Sequence, residues 1–277
     1  MIRDELIRAN GTTLHVRVEG PASGPVLLFS NSLATDLSMW DDQVSYFSQW
    51  YRVVRYDTRG HGKSEPAAAP YNLSTLAEDV RSLLDALGIA AVNYCGLSLG
   101  GMIGQLFAAR YHQRLLSLSL CDSAAKLRRE VWEKRIAIAH KDGIGPLVEP
   151  SLGRWFTQPF RDKNPALIEG IRQMIKGTSV NGYIGSATAI MEMDNFPQLP
   201  RIATPTLIIV GSKDPATPPS DSEMMHQKIA GSRMVVIEDA AHLPNIEQTD
   251  EFNNILGEFL NAQNEQIQET RLASHRM

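Results

Sequence analysis

The stretch AVNYCGLSLGGMIGQLFAARY, residues 91–111, decides the fold of this 277-residue chain. Residues 91–96 form a short, continuous apolar run of the kind found in strands buried on both faces. Residues 99–111 have a helical pattern, with small side chains where the helix must lie close to a sheet. The segment GLSLG (96–100) joins the two, and its glycines permit a sharp turn. The stretch therefore predicts a strand, a tight turn that exposes Ser98, and a helix.

Similar apolar runs recur along the chain and predict the other strands of a sheet. They cover residues 25–30, 51–57, 115–122, 205–211 and 232–240. Residues 2–8 and 12–18 are strand-like and flank Asn10-Gly11, a strong two-residue turn signal, so they predict a hairpin. Helical patterns separate most of these runs. Together they predict an α/β protein with a mostly parallel, eight-stranded sheet flanked by helices.

The helical patterns also suggest how the chain is divided. Residues 73–88 have an amphipathic pattern, for which Ser74 is a plausible N-cap, and residues 249–262 form the last predicted helix. Residues 126–198 are helical in pattern and lack buried-strand runs, which indicates a helical cap inserted into the sheet domain. The predicted organisation is an α/β core of residues 1–125 and 199–262, a cap of residues 126–198 and a polar tail of residues 263–277.

Composition excludes several classes of partner. The net charge of −4 offers no broad cationic surface for phosphates, so we expect no nucleic-acid partner. No apolar run approaches the roughly 18 residues of a membrane span, and the N-terminus lacks the apolar region of a secretory signal. Cys95 and Cys121 each end an apolar run, which predicts two buried thiols in a reducing compartment. We therefore expect a cytoplasmic protein without membrane attachment.

The Ser98 turn predicts a serine nucleophile. A serine hydroxyl needs an exposed position and an adjacent base, and a G-x-S-x-G turn between a strand and a helix supplies the first of these in the α/β-hydrolase fold. In that fold the base comes last in the chain, which favours His242 between the last strand and the last helix. Asp214 follows the strand at 205–211 and is the predicted acid, with Asp122 as the main alternative.

The loop after the strand at 25–30 is expected to supply one donor of an oxyanion hole. The backbone N–H groups of Leu33 and Leu99 are the predicted donors. Asn31 and Ser32 open the same loop and are predicted to contact the substrate. The segment DTRGHGKS (57–64) lacks the spacing of a phosphate-binding loop, and a structural role is expected for its His61.

Several segments resemble the bacterial 3-oxoadipate enol-lactonases. The segment NSLATDLSMWD (31–41) is similar to their oxyanion loop, and RWFT (154–157), ending in Phe160-Arg161, is similar to their cap motif. The segments GSKDPATPP (211–219) and AHLPNIEQ (241–248) also resemble that family. The resemblance extends from about residue 8 to residue 260. It implies hydrolysis of 3-oxoadipate enol-lactone to 3-oxoadipate, a step in the catechol and protocatechuate branches of aromatic catabolism, with no metal and no organic cofactor.

The sequence also departs from that family's pattern. Ala34 replaces an expected glycine, and Leu243-Pro244 replaces a small polar pair after the base. In the cap, Met191 stands where arginine is expected, and Asn195-Phe196 where Leu-Arg is usual. Departures in the cap bear on the choice of substrate and not on the catalytic serine, histidine and aspartate.

The implied substrate is a small molecule with a carboxylate. Arg154 and Arg161 are candidates to bind that carboxylate, and Trp155 is a candidate wall of the pocket. Three alternatives remain open at the level of sequence: a carboxylesterase, another small-ester or C–C bond hydrolase of the same fold, and a non-catalytic binding protein that keeps the three residues.

Overall fold

The computed structural model describes residues 2–66 and 68–274. Eight strands form a single sheet with the order β1-β2-β4-β3-β5-β6-β7-β8. The strands are β1 Arg3–Ala9, β2 Thr12–Glu19, β3 Val26–Ser30, β4 Arg52–Tyr56, β5 Val92–Leu97, β6 Leu115–Cys121, β7 Thr206–Gly211 and β8 Arg233–Ile237. Strand β2 pairs antiparallel with β1 and β4, whereas β4, β3 and β5 to β8 pair in parallel. The predicted fold class, a mostly parallel eight-stranded sheet, is confirmed.

Helices follow or separate the parallel strands. They are α1 Asp41–Phe47, α2 Leu73–Ala86, α3 Leu99–Arg110, α4 Arg129–Asp142, α5 Gly145–Trp155, α6 Gln158–Lys163, α7 Pro165–Gly177, α8 Val180–Glu192, α9 Pro219–Lys228, α10 Pro244–Glu247 and α11 Thr249–Ser274. Short 3₁₀ turns occur at Leu37–Trp40, His112–Arg114 and Leu199–Arg201. Within the described part of the chain, no helix combines the length and apolar character that crossing a bilayer requires.

The core lies on both faces of the sheet. Strand β5 is buried along its whole length, as is β7. Such strands have no solvent-facing side, which explains why they read as continuous apolar runs instead of alternating ones. The hairpin between β1 and β2 turns at Asn10 and Gly11, both at positive φ, as the two-residue turn requires.

The predicted N-cap of one helix was wrong, and the last helix is longer than residues 249–262. Helix α2 is capped by Asn72, whose side chain accepts a hydrogen bond from the Thr75 N–H, and not by Ser74. Asn72 is the N-cap because it directly precedes Leu73, the first helical residue. From that position a side-chain oxygen reaches the free N–H groups of the first helical turn. The last helix does not end at residue 262, because α11 continues to Ser274. The predicted tail thus includes helix up to Ser274, and residues 275–277 lie outside the described residues.

Five helices, α4 to α8, lie between β6 and β7 and cover the carboxyl edge of the sheet. Two of the hydrogen bonds that dock this segment on the rest of the chain lie close to Gly60 and Gly182. The Ser179 hydroxyl donates to the Gly60 carbonyl at 2.8 Å, and the Tyr71 hydroxyl donates to the Gly182 carbonyl at 2.8 Å. Gly60 and Gly182 approach so closely that a Cβ on either would overlap the other backbone.

Candidate active site

Ser98 lies in strained backbone between β5 and α3. Its φ of 55° and ψ of −112° are unfavourable for a residue with a side chain. The turn is possible because Gly96 and Gly100 lack side chains: a Cβ on Gly96 would overlap the Gly100 carbonyl, and one on Gly100 would overlap Ser30. The Ser98 N–H donates to the Cys121 carbonyl at 2.8 Å and holds the turn on β6. The turn therefore fixes Ser98 at the carboxyl edge of the sheet.

His242 and Asp214 form a buried pair at the same edge. Nδ1 of His242 lies 2.7 Å from Oδ2 of Asp214, and both residues are only 3% exposed. Asp214 follows β7 and His242 follows β8. Because the carboxyl ends of parallel strands meet at one edge, strand pairing brings together residues 28 positions apart.

The Asp214 carboxylate is held by its own loop. Oδ1 accepts the N–H groups of Ala216 at 2.7 Å and Thr217 at 3.2 Å, and Oδ2 accepts the Thr217 hydroxyl at 2.7 Å. Hydrogen bonds to a carboxylate stabilise its charged form. Asp214 can therefore fix the orientation of the His242 ring.

Ser98 and His242 line one cavity of about 640 Å³, together with Ser32 and Leu33. The backbone N–H groups of Leu33 and Leu99 have no hydrogen-bond acceptor within residues 2–66 and 68–274. Two free donors flanking a serine can hold an oxygen that develops negative charge. The predicted oxyanion residues thus lie together at the serine.

The loop after β3 is anchored by Asn31. Its Nδ2 donates to the Tyr56 carbonyl at 2.9 Å, and its Oδ1 accepts the Trp40 indole N–H at 3.0 Å. Its carbonyl accepts the N–H of Gly100 at 3.0 Å and joins the loop to the start of α3. Asn31 is fully buried and does not line the cavity, whereas Ser32 does. The structure therefore places Asn31 as a support of the loop. Ala34 adopts φ 62° in this loop, in the left-handed region that favours glycine.

Asp122, the alternative acid, is also at the edge but does not bond to His242. Its Oδ1 accepts the Gly211 N–H at 2.9 Å. Burial, together with the negative charge of Asp214, raises the pKa of Asp122 well above its usual range. Asp122, Asp214 and His242 each contribute one side-chain oxygen or nitrogen atom to a group whose members all lie within 4.8 Å of one another. This is a set that could ligate a metal, but His242 Nδ1 and Asp214 Oδ2 are already engaged with each other.

The cavity wall supplied by the segment between β6 and β7 is cationic. It includes five basic side chains, namely Lys126, Arg128, Lys134, Arg135 and Arg154. Burial, followed by the nearby charge of Arg135, lowers the pKa of Arg154 to about 10. Within the described part of the chain, its guanidinium makes a single hydrogen bond, to the Ser151 hydroxyl at 3.3 Å. Arg135 stacks 4.6 Å from the Trp132 ring and donates to the Tyr183 hydroxyl at 2.8 Å. Neither guanidinium has a carboxylate partner among residues 2–66 and 68–274, and two such groups facing one cavity favour an anionic ligand.

The structure brings some of the predicted substrate-binding residues to the cavity and leaves others outside. Arg154 and Trp155 line it, and the Trp155 carbonyl accepts the N–H of Leu243 at 3.1 Å, next to His242. Arg161 lines a separate surface depression and bonds to Gln158.

The cap positions singled out as departures do not line the cavity either. They are Met191, Asn195 and Phe196. Asn195 is buried and donates to the Met102 carbonyl at 3.1 Å, so it joins the helical segment to α3. His61, also outside the cavity, bonds through Nδ1 to the Arg59 carbonyl, and burial lowers its pKa to about 4.

Sequence reasoning missed Trp132 and Arg135. Both lie on α4, three positions apart and thus on one face of the helix. That spacing was visible in the sequence. What the sequence did not show is that this face of α4 turns towards Ser98.

Known proteins match the chain along most of its length. The model of the α/β hydrolase fold family matches residues 25–249. The 3-oxoadipate enol-lactonases 1 and 2 of Acinetobacter baylyi are 40% and 37% identical over 251 residues, which span 90% of this chain and 94% of each relative. The crystal structure of the enol-lactonase from Burkholderia xenovorans LB400 is 41% identical, with a TM-score of 0.91 over 93% of this chain and 100% of that one. A thermophilic esterase from Thermogutta terrifontis is 29% identical, with a TM-score of 0.88.

Proposed function

Because the chain belongs to the α/β-hydrolase family and is related to the 3-oxoadipate enol-lactonases, we propose that it hydrolyses 3-oxoadipate enol-lactone to 3-oxoadipate. The observation that carries the proposal is the cavity itself. Its floor holds Ser98 on a strained turn beside the buried His242–Asp214 pair, and its wall carries two guanidinium groups that have no carboxylate partner among the described residues. The floor supplies ester chemistry, and the wall suits a substrate that bears a carboxylate. The reaction belongs to the β-ketoadipate pathway of aromatic catabolism.

The first step of the mechanism is acylation. His242 takes the proton of the Ser98 hydroxyl as the oxygen attacks the lactone carbonyl. Asp214 keeps the imidazole oriented and stabilises the imidazolium through the 2.7 Å contact with Nδ1. The N–H groups of Leu33 and Leu99 hold the oxyanion, and loss of one such donor typically costs about 10²–10³ in turnover.

Ring opening completes acylation. The ring C–O bond breaks and the enolate leaves. It receives the proton that His242 took from Ser98, which makes His242 neutral again, and the resulting enol tautomerises to the ketone. An enolate is a better leaving group than an alkoxide, so His242 need not protonate it fully in the transition state. The Ser98 ester is then hydrolysed by water that His242 deprotonates, which restores the free serine and releases 3-oxoadipate.

Arg154 is the proposed binding site for the substrate carboxylate. It lies next to Trp155, which lines the same cavity, and it is partly desolvated beside the positive charge of Arg135. An incoming carboxylate would relieve the repulsion between the two guanidinium groups and replace part of their lost hydration. Arg161 lies elsewhere and is not part of this proposal.

The proposed division of the chain into domains is based on which segments line the cavity. Residues 1–125 and 199–262 form the hydrolase core, and residues 126–198 form a cap that supplies the cationic wall. The cytoplasm is the proposed location, which agrees with the reduced state of Cys95 and Cys121, whose sulfur atoms lie 3.8 Å apart without a bond. A small molecule, and no nucleic acid or membrane, is the proposed partner.

A carboxylesterase is the second candidate, favoured by the 29% identity to the thermophilic esterase. Purified protein should be assayed with enol-lactone, with p-nitrophenyl acetate as a neutral ester, and with a vinylogous 1,5-diketone acid as a C–C bond substrate. The proposal predicts a kcat/KM for the lactone at least about 100-fold above that for the neutral ester. Turnover of the ester without turnover of the lactone would instead assign a carboxylesterase.

A further inference from the structure

Asp122 is a fully buried carboxyl group that the proposed mechanism does not use. It directly follows β6, and its φ of 42° lies in the left-handed region. Its N–H donates to the Ile209 carbonyl at 2.9 Å, and its Oδ1 accepts the Gly211 N–H at 2.9 Å, so two bonds fix it against β7. Its Oδ2 is buried and has no well-aligned hydrogen-bond partner among the described residues.

Within residues 2–66 and 68–274, no lysine or arginine forms an ion pair with this carboxyl group to balance a second negative charge. Titratable side chains face it from three elements: Asp214 from the loop after β7, His242 from the loop after β8, and Cys121 from its own strand. Asp214 is already paired with His242, and the neighbouring thiol of Cys121 is buried against Cys95. Two buried carboxylates this close cannot both ionise without a large cost. A shared proton removes that cost, and burial together with the charge of Asp214 raises the pKa of Asp122, as noted above.

We propose that Asp122 is a positioning residue that keeps its proton at neutral pH and directs its buried Oδ2 towards Asp214, so that Asp214 stays aligned on His242. The neutral carboxylic acid acts as a hydrogen-bond donor to the ionised one. Oδ1 remains the acceptor for the Gly211 N–H, which ties this donor to the strand that carries Asp214. Asp122 thus acts through Asp214 and touches no substrate, since it does not line the cavity.

Two substitutions separate this role from the alternatives. Asp122→Asn keeps a carbonyl oxygen for Gly211 and an N–H donor for Asp214 but cannot ionise, and asparagine tolerates a positive φ. Asp122→Gly keeps the backbone conformation and removes the side chain. Asp239→Asn is the matched control, because Asp239 also has positive φ and lies three residues before His242, but is exposed.

The test is the pH dependence of kcat and KM for p-nitrophenyl acetate, measured between pH 5 and 9 in each variant. The inference rests on the proposed serine mechanism, and the neutral ester makes it independent of the natural substrate. Ser98→Ala is run in parallel. If Ser98→Ala keeps its activity, the proposed function itself fails; if it loses activity, the Asp122 variants report on Asp122 alone.

A neutral Asp122 predicts that Asp122→Asn has a kcat within about threefold of wild type and the same acid limb of the pH profile, like Asp239→Asn. Asp122→Gly should lose about ten- to a hundredfold in kcat with KM nearly unchanged, the loss typical of a hydrogen bond to a charged group. If Asp122 were ionised, its negative charge, within 4.8 Å of His242, would stabilise the protonated imidazole. Removing that charge in Asp122→Asn would then shift the acid limb of the kcat profile to lower pH by roughly two units. That shift, or wild-type kcat in Asp122→Gly, would overturn the inference. If Asp122→Gly does not fold, the pH profile of Asp122→Asn still decides.

Discussion

Replacement of Arg154 by methionine tests how the cavity distinguishes substrates. The Arg154 side chain lines the cavity and has no carboxylate partner among the described residues, and it shares the wall with Arg135. Methionine preserves much of the length and apolar contact of the side chain while removing the charge. The substitution therefore removes a cation from the cavity wall and leaves the floor around Ser98 intact.

The magnitude of the effect follows from the partial burial of Arg154. Opposite unit charges about 4 Å apart interact by about 4 kcal/mol at an effective dielectric constant of 20, and by about 1 kcal/mol in bulk water. Arg154 lies between these limits, so we discount the interaction to about 2 kcal/mol for solvent screening. That corresponds to a fall of about 30-fold in kcat/KM for an anionic lactone.

The assay compares the enol-lactone with p-nitrophenyl acetate, which carries no charge. Arg154→Met should lose about 30-fold in kcat/KM for the lactone, chiefly through KM, and less than threefold for the neutral ester. Arg161→Met is the matched control, because Arg161 lies in a separate depression, and it should change neither value by more than twofold.

The same substitution should stabilise the folded protein slightly. Burial and the charge of Arg135 lower the pKa of Arg154 to about 10. At neutral pH the charged side chain therefore has a higher free energy in the folded state than in the unfolded state, which lowers the free energy of unfolding. Thermal denaturation should show a Tm higher by about 1–3 °C in Arg154→Met. Equal losses for the charged and neutral substrates, or a loss in Arg161→Met of the same size, would refute the carboxylate-binding role of Arg154.

Three further predictions concern stability and the catalytic pair. Gly182→Ala forces a side chain into the closely packed contact that docks the helical segment, and should lower stability by about 1–3 kcal/mol in chemical denaturation. Gly170→Ala, in open space on α7, should raise it by up to about 1 kcal/mol. Thr217→Val removes one hydrogen bond to Asp214 and should lower kcat about three- to tenfold in steady-state assays. His61 has a pKa of about 4, below its unfolded value, so its contribution to stability is present above pH 6.5 and is lost as pH falls towards 4. His61→Gln should flatten the pH dependence of Tm in that range.

Each of these predictions has a contradicting result. Equal free energies of unfolding for Gly182→Ala and Gly170→Ala would show that the contact between Gly60 and Gly182 is not closely packed. An unchanged kcat in Thr217→Val would mean that the backbone N–H groups alone hold Asp214. A steep loss of Tm below pH 6.5 in His61→Gln, equal to that of wild type, would assign the acid sensitivity to other groups.

The catalytic floor of the cavity was predictable from sequence because chain order and strand position determine it. Ser98 sits in a motif whose glycines are required by close backbone approach. Asp214 and His242 were identified by the strands that they follow. Parallel pairing of β5 to β8 then brings all three to one edge without further information.

The cap side of the cavity was not predictable in the same way. Helix α4 has polar residues on more than one face, so its periodicity does not show which face turns towards Ser98. Arg154 and Arg161 look equivalent in sequence, but a break at Phe156-Thr157 separates α5 from α6 and directs Arg161 elsewhere. Asn31 was expected to contact substrate, yet its amide is used by Trp40 and Tyr56 inside the core.

The most direct test of the proposed function is the rate of enol-lactone loss, followed spectrophotometrically, in the wild-type protein and in Ser98→Ala at equal concentration. We expect rapid loss of the lactone with wild type and a fall in kcat of about 10⁴-fold or more in Ser98→Ala, because the alanine side chain has no hydroxyl to attack the lactone carbonyl. Failure of the wild-type protein to open the lactone, or a Ser98→Ala variant that keeps a tenth of the activity, would contradict it.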